Sequence, residues 1–423
     1  MNNDFTSRRQ QWSPEPRPEW VRRINEEGSC MDIKSLVPLD ENSLIETAKA
    51  NTGLSDFGAD DWHERFQVIV KAFDEESELT LMGRLMTRSD MLMFLQARLQ
   101  IEDTYKRHPE INDEEIRQPI VIIGQGRSGT SFMQNLVSVD PNNGTSKTWE
   151  IMSPCPPPEK ATYLTDPRIT KLKYLADQVN RVTPEVESIH EMSAELPEEN
   201  HRILCLTFGS AGWISVFYGQ VPSFAAYMQK QSMVPIYEYE KRVLKLLQWK
   251  NPRKHWILKS PFCIIDMPEI LKVYPDVAFV WTHRDPVKAL GSLVSTVGTL
   301  MWCRTDHPFI GDSLMAFTSA DASAAMVSQP IEWLETGVIP RKQLFNMQYA
   351  DFLKDPLAGV ADMYAYFNIE MTNEGRQAMQ KYLDDNPRSS RPPHKYPTHH
   401  DNLDMERKAY ARYQAYFNVP NEI

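Results

Sequence analysis

The stretch Pro119-Ile120-Val121-Ile122-Ile123-Gly124-Gln125-Gly126-Arg127-Ser128-Gly129-Thr130-Ser131 decides how this chain is read. Its apolar, β-branched run ends in a glycine-rich turn, and Phe132, Leu136 and Val139 follow at helical spacing. That is a strand, a phosphate-cradling loop and a helix. The glycines let successive backbone N–H groups converge on an anion, and the helix N-terminus adds partial positive charge. The ATP-type loop reads GxxxxGK[ST], with its lysine reaching the β- and γ-phosphates. Here Gly124-xxxx-Gly129 keeps the spacing, but Thr130 stands at the lysine position and the cation is Arg127. The loop is expected to hold a phosphate without gripping a triphosphate.

Two downstream segments have a common design. Trp256-Ile257-Leu258-Lys259-Ser260-Pro261 and Val277-Ala278-Phe279-Val280-Trp281-Thr282-His283-Arg284-Asp285-Pro286 each run from an apolar strand into a cation and a proline. In an open parallel sheet, ligands bind beyond the C-terminal strand ends. Lys259 and Arg284 should therefore reach the side where the glycine loop lies. Asp285-Pro286 suits a helix start, and Ser292 and Ser295 fall on that helix.

At these residues the chain resembles the sulfotransferases that use 3′-phosphoadenylyl sulfate (PAPS), in particular the bacterial-type family related to the protein-tyrosine and carbohydrate enzymes. The 124–131 loop, Leu258-Lys259-Ser260-Pro261-Phe262, and Thr282-His283-Arg284-Asp285-Pro286 with Ser292 carry the likeness. Trp149-Glu150, Leu196-Pro197-Glu198-Glu199, Tyr349-Ala350-Asp351 and His394-Lys395-Tyr396 add weaker matches, and together they span about residues 40–420. The resemblance implies that Arg127, Ser128, Gly129, Thr130 and Ser131 cradle the cofactor's 5′-phosphate, and that Arg284 with Ser292 clamps its 3′-phosphate. It also implies that a basic segment holding Lys395 closes over the cofactor. Lys259 would stabilise charge on the oxygen bridging sulfur and the departing phosphate. Two residues compete for the general base. Glu150 precedes the proline run at a position where related enzymes place a catalytic glutamate, and His190 titrates nearer neutrality. Glu198 and Glu199 come next.

The bulk properties agree with an enzyme of this kind. The 423 residues carry a net charge of -11, which argues against a nucleic-acid backbone as partner but not against a locally bound anion. Five dispersed cysteines without a CxxC pair suit reduced thiols, and the start of the chain has no apolar leader run, so a cytoplasmic location is expected. No metal-ligand spacing is present around His399-His400. Residues 203–229 lack any charge, but their glycines, proline and serines make them too polar and broken to span a membrane. They are read as a buried helix and pocket-lining loop for an apolar acceptor.

Strands alternating with helices predict an α/β fold: a P-loop-like core with a mostly parallel sheet, a helical N-terminal layer and helical insertions. Residues 1–30 read as a loosely ordered arm. The rest, 31–423, reads as one domain: a helical layer at 31–118, the core with acceptor-site insertions at 119–370, and a helical segment with the cofactor-covering loop at 371–423. The expected function is sulfuryl transfer from PAPS to a hydroxyl of a small-molecule or lipidic acceptor. Two rivals are a P-loop small-molecule kinase, which Thr130 in place of lysine disfavours, and a non-catalytic nucleotide-binding protein on the same fold.

Overall fold

A computed structural model describes residues 12–190, 192–309, 318–387 and 402–423. The apolar run forms β1 (Ile120–Ile123), which lies at the centre of a parallel sheet. Its companions are β2 (Asn143–Gly144), β3 (His255–Lys259), β4 (Ala278–His283) and β5 (Leu344–Gln348), in the order β2-β3-β1-β4-β5. The four strand pairings of this sheet are parallel, with Val121 opposite Leu258 on one side and Phe279 on the other. Because the chain winds first to one side of β1 and then to the other, the strand ends beside β1 open onto a crevice.

Period-two alternation sends the strand side chains to two cores. Ile120, Ile122, Ile257 and Val280 meet Met133, Leu136 and Val137 of the helix Thr130–Ser138. Val121, Ile123, Leu258, Phe279 and Trp281 join the larger core on the opposite face. That core includes the helical layer: α1 (Glu19–Ser29), α2 (Glu41–Thr52), α3 (His63–Glu75) and the long α4 (Leu81–Arg107). The Met-rich stripe of α4 is packing surface, with Met82, Met86 and Met91 buried.

Residues 12–30 differ from the expected loose arm. Trp12 lies against Gly298, where an added Cβ would meet its ring at 2.6 Å. Arg17 donates to the carbonyls of Trp302 and Thr305 and pairs with Asp306, and α1 follows at once. Charge and proline content suggested looseness, but one buried arginine that caps a distant helix end anchors the segment. The uncharged stretch 203–229 folds into short helices Ala211–Phe217 and Pro222–Met228, which bury Trp213, Ile214 and Phe224. No helix among the described residues is long and apolar enough to cross a membrane.

The remaining elements that frame the crevice are α5 (Thr130–Ser138), α6 (Pro167–Ala176), α7 (Pro286–Trp302) and α8 (Leu403–Phe417). Asp285 caps α7 through the Val287 N–H, and Pro286 occupies its first turn.

Candidate active site

The loop after β1 is built around backbone conformations that few residues tolerate. Gly124 has φ +149°, and an added Cβ would meet Ser128 Oγ at 2.7 Å and Thr282 Oγ1 at 2.8 Å. Gly129 has φ +95° and would strike the Tyr349 ring at 2.5 Å. Arg127 also lies in the left-handed region, at φ 75°, although it carries a side chain. A non-glycine residue held there costs on the order of 1–2 kcal/mol. The constraint aims its guanidinium inward: Nε donates to Ser292 Oγ (3.0 Å) and Nη1 to the Ile189 carbonyl (2.9 Å). Ser128 Oγ lies 2.9 Å from Thr282 Oγ1, tying the loop to the end of β4. Thr130 and Ser131 open α5, whose first N–H groups have no helical acceptor.

Lys259 ends β3 with only 3% of its surface exposed. Its Nζ is 2.7 Å from Glu199 Oε1, and the Ser260 hydroxyl donates to Glu199 Oε2 (2.9 Å). The neighbouring Glu198 pairs with Arg202 at 2.9 Å. The Leu196-Pro197-Glu198-Glu199 turn thus brings one carboxylate, Glu199, to the cation of β3 and leaves the other on Arg202. Burial and the nearby Lys259 ammonium hold the pKa of the His190 imidazole below its usual value, so the ring is unprotonated at neutral pH and has a nitrogen lone pair to offer. Arg127, Ser131, His190, Glu198 and Lys259 line one cavity of about 730 Å³. A smaller apolar slot of about 80 Å³ adjoins it, walled by Phe217, Leu293, Val297 and Leu300, and also touches Arg127, Ser131, His190 and Glu199.

On the far side of Arg127, Arg284 Nη1 donates to the Arg127 carbonyl (3.0 Å), and its guanidinium stacks over Tyr349 at 4.5 Å. The other edge of the fork meets Glu422, with Nε to Oε1 at 2.9 Å and Nη2 to Oε2 at 3.1 Å. Lys288, one turn along α7, reaches the same carboxylate at 3.2 Å. Arg407 of α8 grips Asp285 with both nitrogens, and Asp285 accepts the Glu422 N–H (2.7 Å), which fixes the tail. An anion therefore already sits in the Arg284 fork.

Arg127, Ser128, Gly129, Thr130, Ser131, Lys259, His190, Arg284 and Ser292 all gather around this crevice. Glu150 does not join them. It is fully buried and is not among the residues that line the cavity; its Oε2 accepts the Lys147 N–H (2.8 Å) and the Tyr163 hydroxyl (3.0 Å). Burial raises its pKa above the ordinary glutamate value, and the Arg253 charge opposes the rise. Those are the contacts of a helix-capping carboxylate. Lys395 lies outside the described residues. Sequence reasoning missed Glu422 and Lys288 as members of the site. It noted Thr282 and Tyr349 only as parts of motifs, and saw Glu199 only as a spare base rather than as the partner of Lys259.

Comparison with known proteins agrees with this architecture. Residues 119–373, more than half of the chain, match the model of the sulfotransferase family. The chain belongs to the sulfotransferase family. The chain is similar to the crystal structure of sulfotransferase STF9 from Mycobacterium avium, with a TM-score of 0.78 and 26% identity over 90% of this chain and 97% of that one. Sulfotransferase STF1 from Mycobacterium tuberculosis H37Rv superposes with a TM-score of 0.72 and 27% identity, covering 88% of this chain and 98% of that one. A curated relative, omega-hydroxy-beta-dihydromenaquinone-9 sulfotransferase Stf3 of Mycobacterium bovis, is 20% identical over 59% of this chain. The match spans 63% of that relative's length. The sheet of this chain has the P-loop-like α/β form of its structural neighbours.

Proposed function

We propose that this protein transfers a sulfuryl group from PAPS to a hydroxyl of an apolar small-molecule or lipidic acceptor. The observation that carries the reading is that two groups of cations, the Arg127 loop after β1 and the Arg284–Lys288 pair after β4, meet beside a cavity that Lys259 and His190 line. A ligand with phosphates on two different arms fits cations supplied from two strand ends, whereas a triphosphate site gathers its cations along one chain of phosphates. In the reaction the acceptor oxygen bonds to sulfur, and the bond from sulfur to the phosphate-bridging oxygen breaks. The acceptor proton passes to His190, and adenosine 3′,5′-bisphosphate leaves. In this reading the buried Lys259 ammonium, which lines the cavity, stabilises the negative charge that grows on the bridging oxygen, where few waters compete and charge interactions are strong. The apolar slot beside His190 suits a hydrocarbon acceptor, and the acceptor named for the Stf3 relative is lipid-like.

Adenosine 3′,5′-bisphosphate at roughly 100 times its dissociation constant should stabilise the protein by about 2.7 kcal/mol in thermal unfolding. AMP and ATP at the same concentration should do much less, with or without Mg²⁺. Arg284→Ala should erase most of that preference, since hydrogen bonds to charged groups are each worth about 1.5–3 kcal/mol. Equal shifts by ATP and the bisphosphate would sink the reading.

The Glu422 carboxylate must yield for a 3′-phosphate to take the Arg284 fork. Glu422→Gln should therefore tighten the bisphosphate by about tenfold, the scale of one lost charge-assisted competitor. Titration calorimetry reads this directly, and an unchanged or weakened affinity would remove the 3′-phosphate from that fork.

A further inference from the structure

The turn Tyr163–Thr165 and the helix α6 carry a surface that sulfuryl transfer does not explain. Leu164 is 78% exposed, Tyr174 66% and Leu175 42%. Leu172 and Ala176 on the opposite side of α6 pack with Trp149 and Met152, so the helix is seated and presents its other face outward by construction. Lys171, Tyr174 and Leu175 follow i, i+3, i+4 spacing on that outward face, with Lys173 exposed beside them. Residues 160–181 hold five cations (Lys160, Arg168, Lys171, Lys173, Arg181) against two carboxylates (Asp166, Asp177), in a chain whose net charge is -11. Asp166 is already spent on Arg168, at 2.7 Å. Among the described residues neither Lys171 nor Lys173 has an ion-pair partner.

The patch is continuous with the interior. Leu175 lines a small cavity with Met192 and Phe217. Phe217 also walls the slot that reaches His190, and Met192 lines the large cavity. Leu175, Met192 and Phe217 therefore join the exposed face of α6 to the site, through a small cavity that Asp90, Arg202 and Arg304 also line.

We propose that α6 and the turn before it dock on an anionic bilayer surface, so that a membrane-dissolved acceptor alcohol enters the slot beside Phe217. Exposed Leu and Tyr flanked by lysines is the composition that lies in the lipid interface, where apolar burial and attraction to anionic headgroups act together. The route for the acceptor rests on the sulfotransferase reading, but the docking does not.

The test is co-sedimentation of the full chain with vesicles of phosphatidylcholine alone or mixed with phosphatidylglycerol at about two to one. Binding should require phosphatidylglycerol and should fall as salt rises. A lysine near an anionic surface contributes about a fivefold factor in partitioning, so Lys171→Glu/Lys173→Glu should lose more than tenfold. Leu164→Ser/Tyr174→Ser should lose a comparable factor while keeping the charge. Both variants should keep the parent's thermal unfolding and its shift with adenosine 3′,5′-bisphosphate, which shows that fold and donor site are intact. No binding to the mixed vesicles, equal binding to phosphatidylcholine alone, or binding that both variants retain would overturn the proposal. So would loss of self-association in place of loss of vesicle binding, which would make the face an interface between copies. Failure of the sulfotransferase reading would instead abolish the bisphosphate shift and leave vesicle binding as it is.

Discussion

Lys259→Ala is expected to lose about 10²–10³ in turnover, the scale of one removed electrostatic stabiliser, with a far smaller loss of donor affinity. The lysine ends β3, is almost wholly buried, and is held by Glu199 at 2.7 Å. In this resting arrangement Glu199, itself held by the Ser260 hydroxyl, fixes the ammonium, so it need not reorganise as charge develops. Removing one partner of a buried pair strands the other, at a cost of about 3–5 kcal/mol in stability. The single variant could thus lose activity simply by failing to fold. Lys259→Ala/Glu199→Gln avoids this, because no uncompensated carboxylate remains. Single-turnover transfer from labelled PAPS should show the same large loss in the double variant, alongside a normal thermal shift with the bisphosphate. Turnover within a few-fold of the parent would take Lys259 out of the reaction.

The second large effect separates the candidate bases. Loss of a general base typically costs about 10²–10⁴ in rate, or roughly 3–5 kcal/mol of barrier. His190→Ala should fall in that range, because His190 lines both the large cavity and the slot and its imidazole is kept neutral. Glu150→Gln should retain turnover within about tenfold, because its carboxylate caps a turn and meets Tyr163 away from the cavity. The pH dependence gives a second readout. With His190 as base, kcat/KM should hold steady through neutral pH and decline as pH falls through a pKa below 6.5, the direction in which burial and Lys259 shift it. Glu150, whose pKa burial raises, would contribute stability in its protonated form that is lost as pH rises through that pKa. Glu150→Gln should therefore be as stable as the parent, or more so, in neutral urea unfolding. An active His190→Ala with a dead Glu150→Gln would reverse the assignment.

Several elements were legible because their signals are local. The run 120–123 is β-branched and bounded by glycine, and it is a strand over Ile120–Ile123. Asp285-Pro286 followed by an apolar repeat marks a helix start, and the helix runs Pro286–Trp302 as its spacing predicts. Pro356 likewise marks the boundary between the helices Tyr349–Lys354 and Pro356–Tyr366. Strand β2 was invisible, since two residues, Asn143 and Gly144, carry no periodicity.

What the sequence determined by itself is the chemistry on offer: a glycine loop with an arginine in place of lysine, and a cation at the end of each of two apolar strands. Those features are contiguous, and strand polarity in a parallel sheet forces their ends to one side. Only the tertiary structure decided the partners. Glu199 on Lys259, Glu422 on Arg284 and Ser292 on Arg127 lie 60, 138 and 165 residues apart along the chain. It also separated Glu150 from His190. Both are plain ionisable residues in the sequence, but packing buries the first against Tyr163 and turns the second to the cavity. Whether an ionisable side chain serves as a cap or a base depends on what surrounds it, and here distant segments of the chain supply those surroundings.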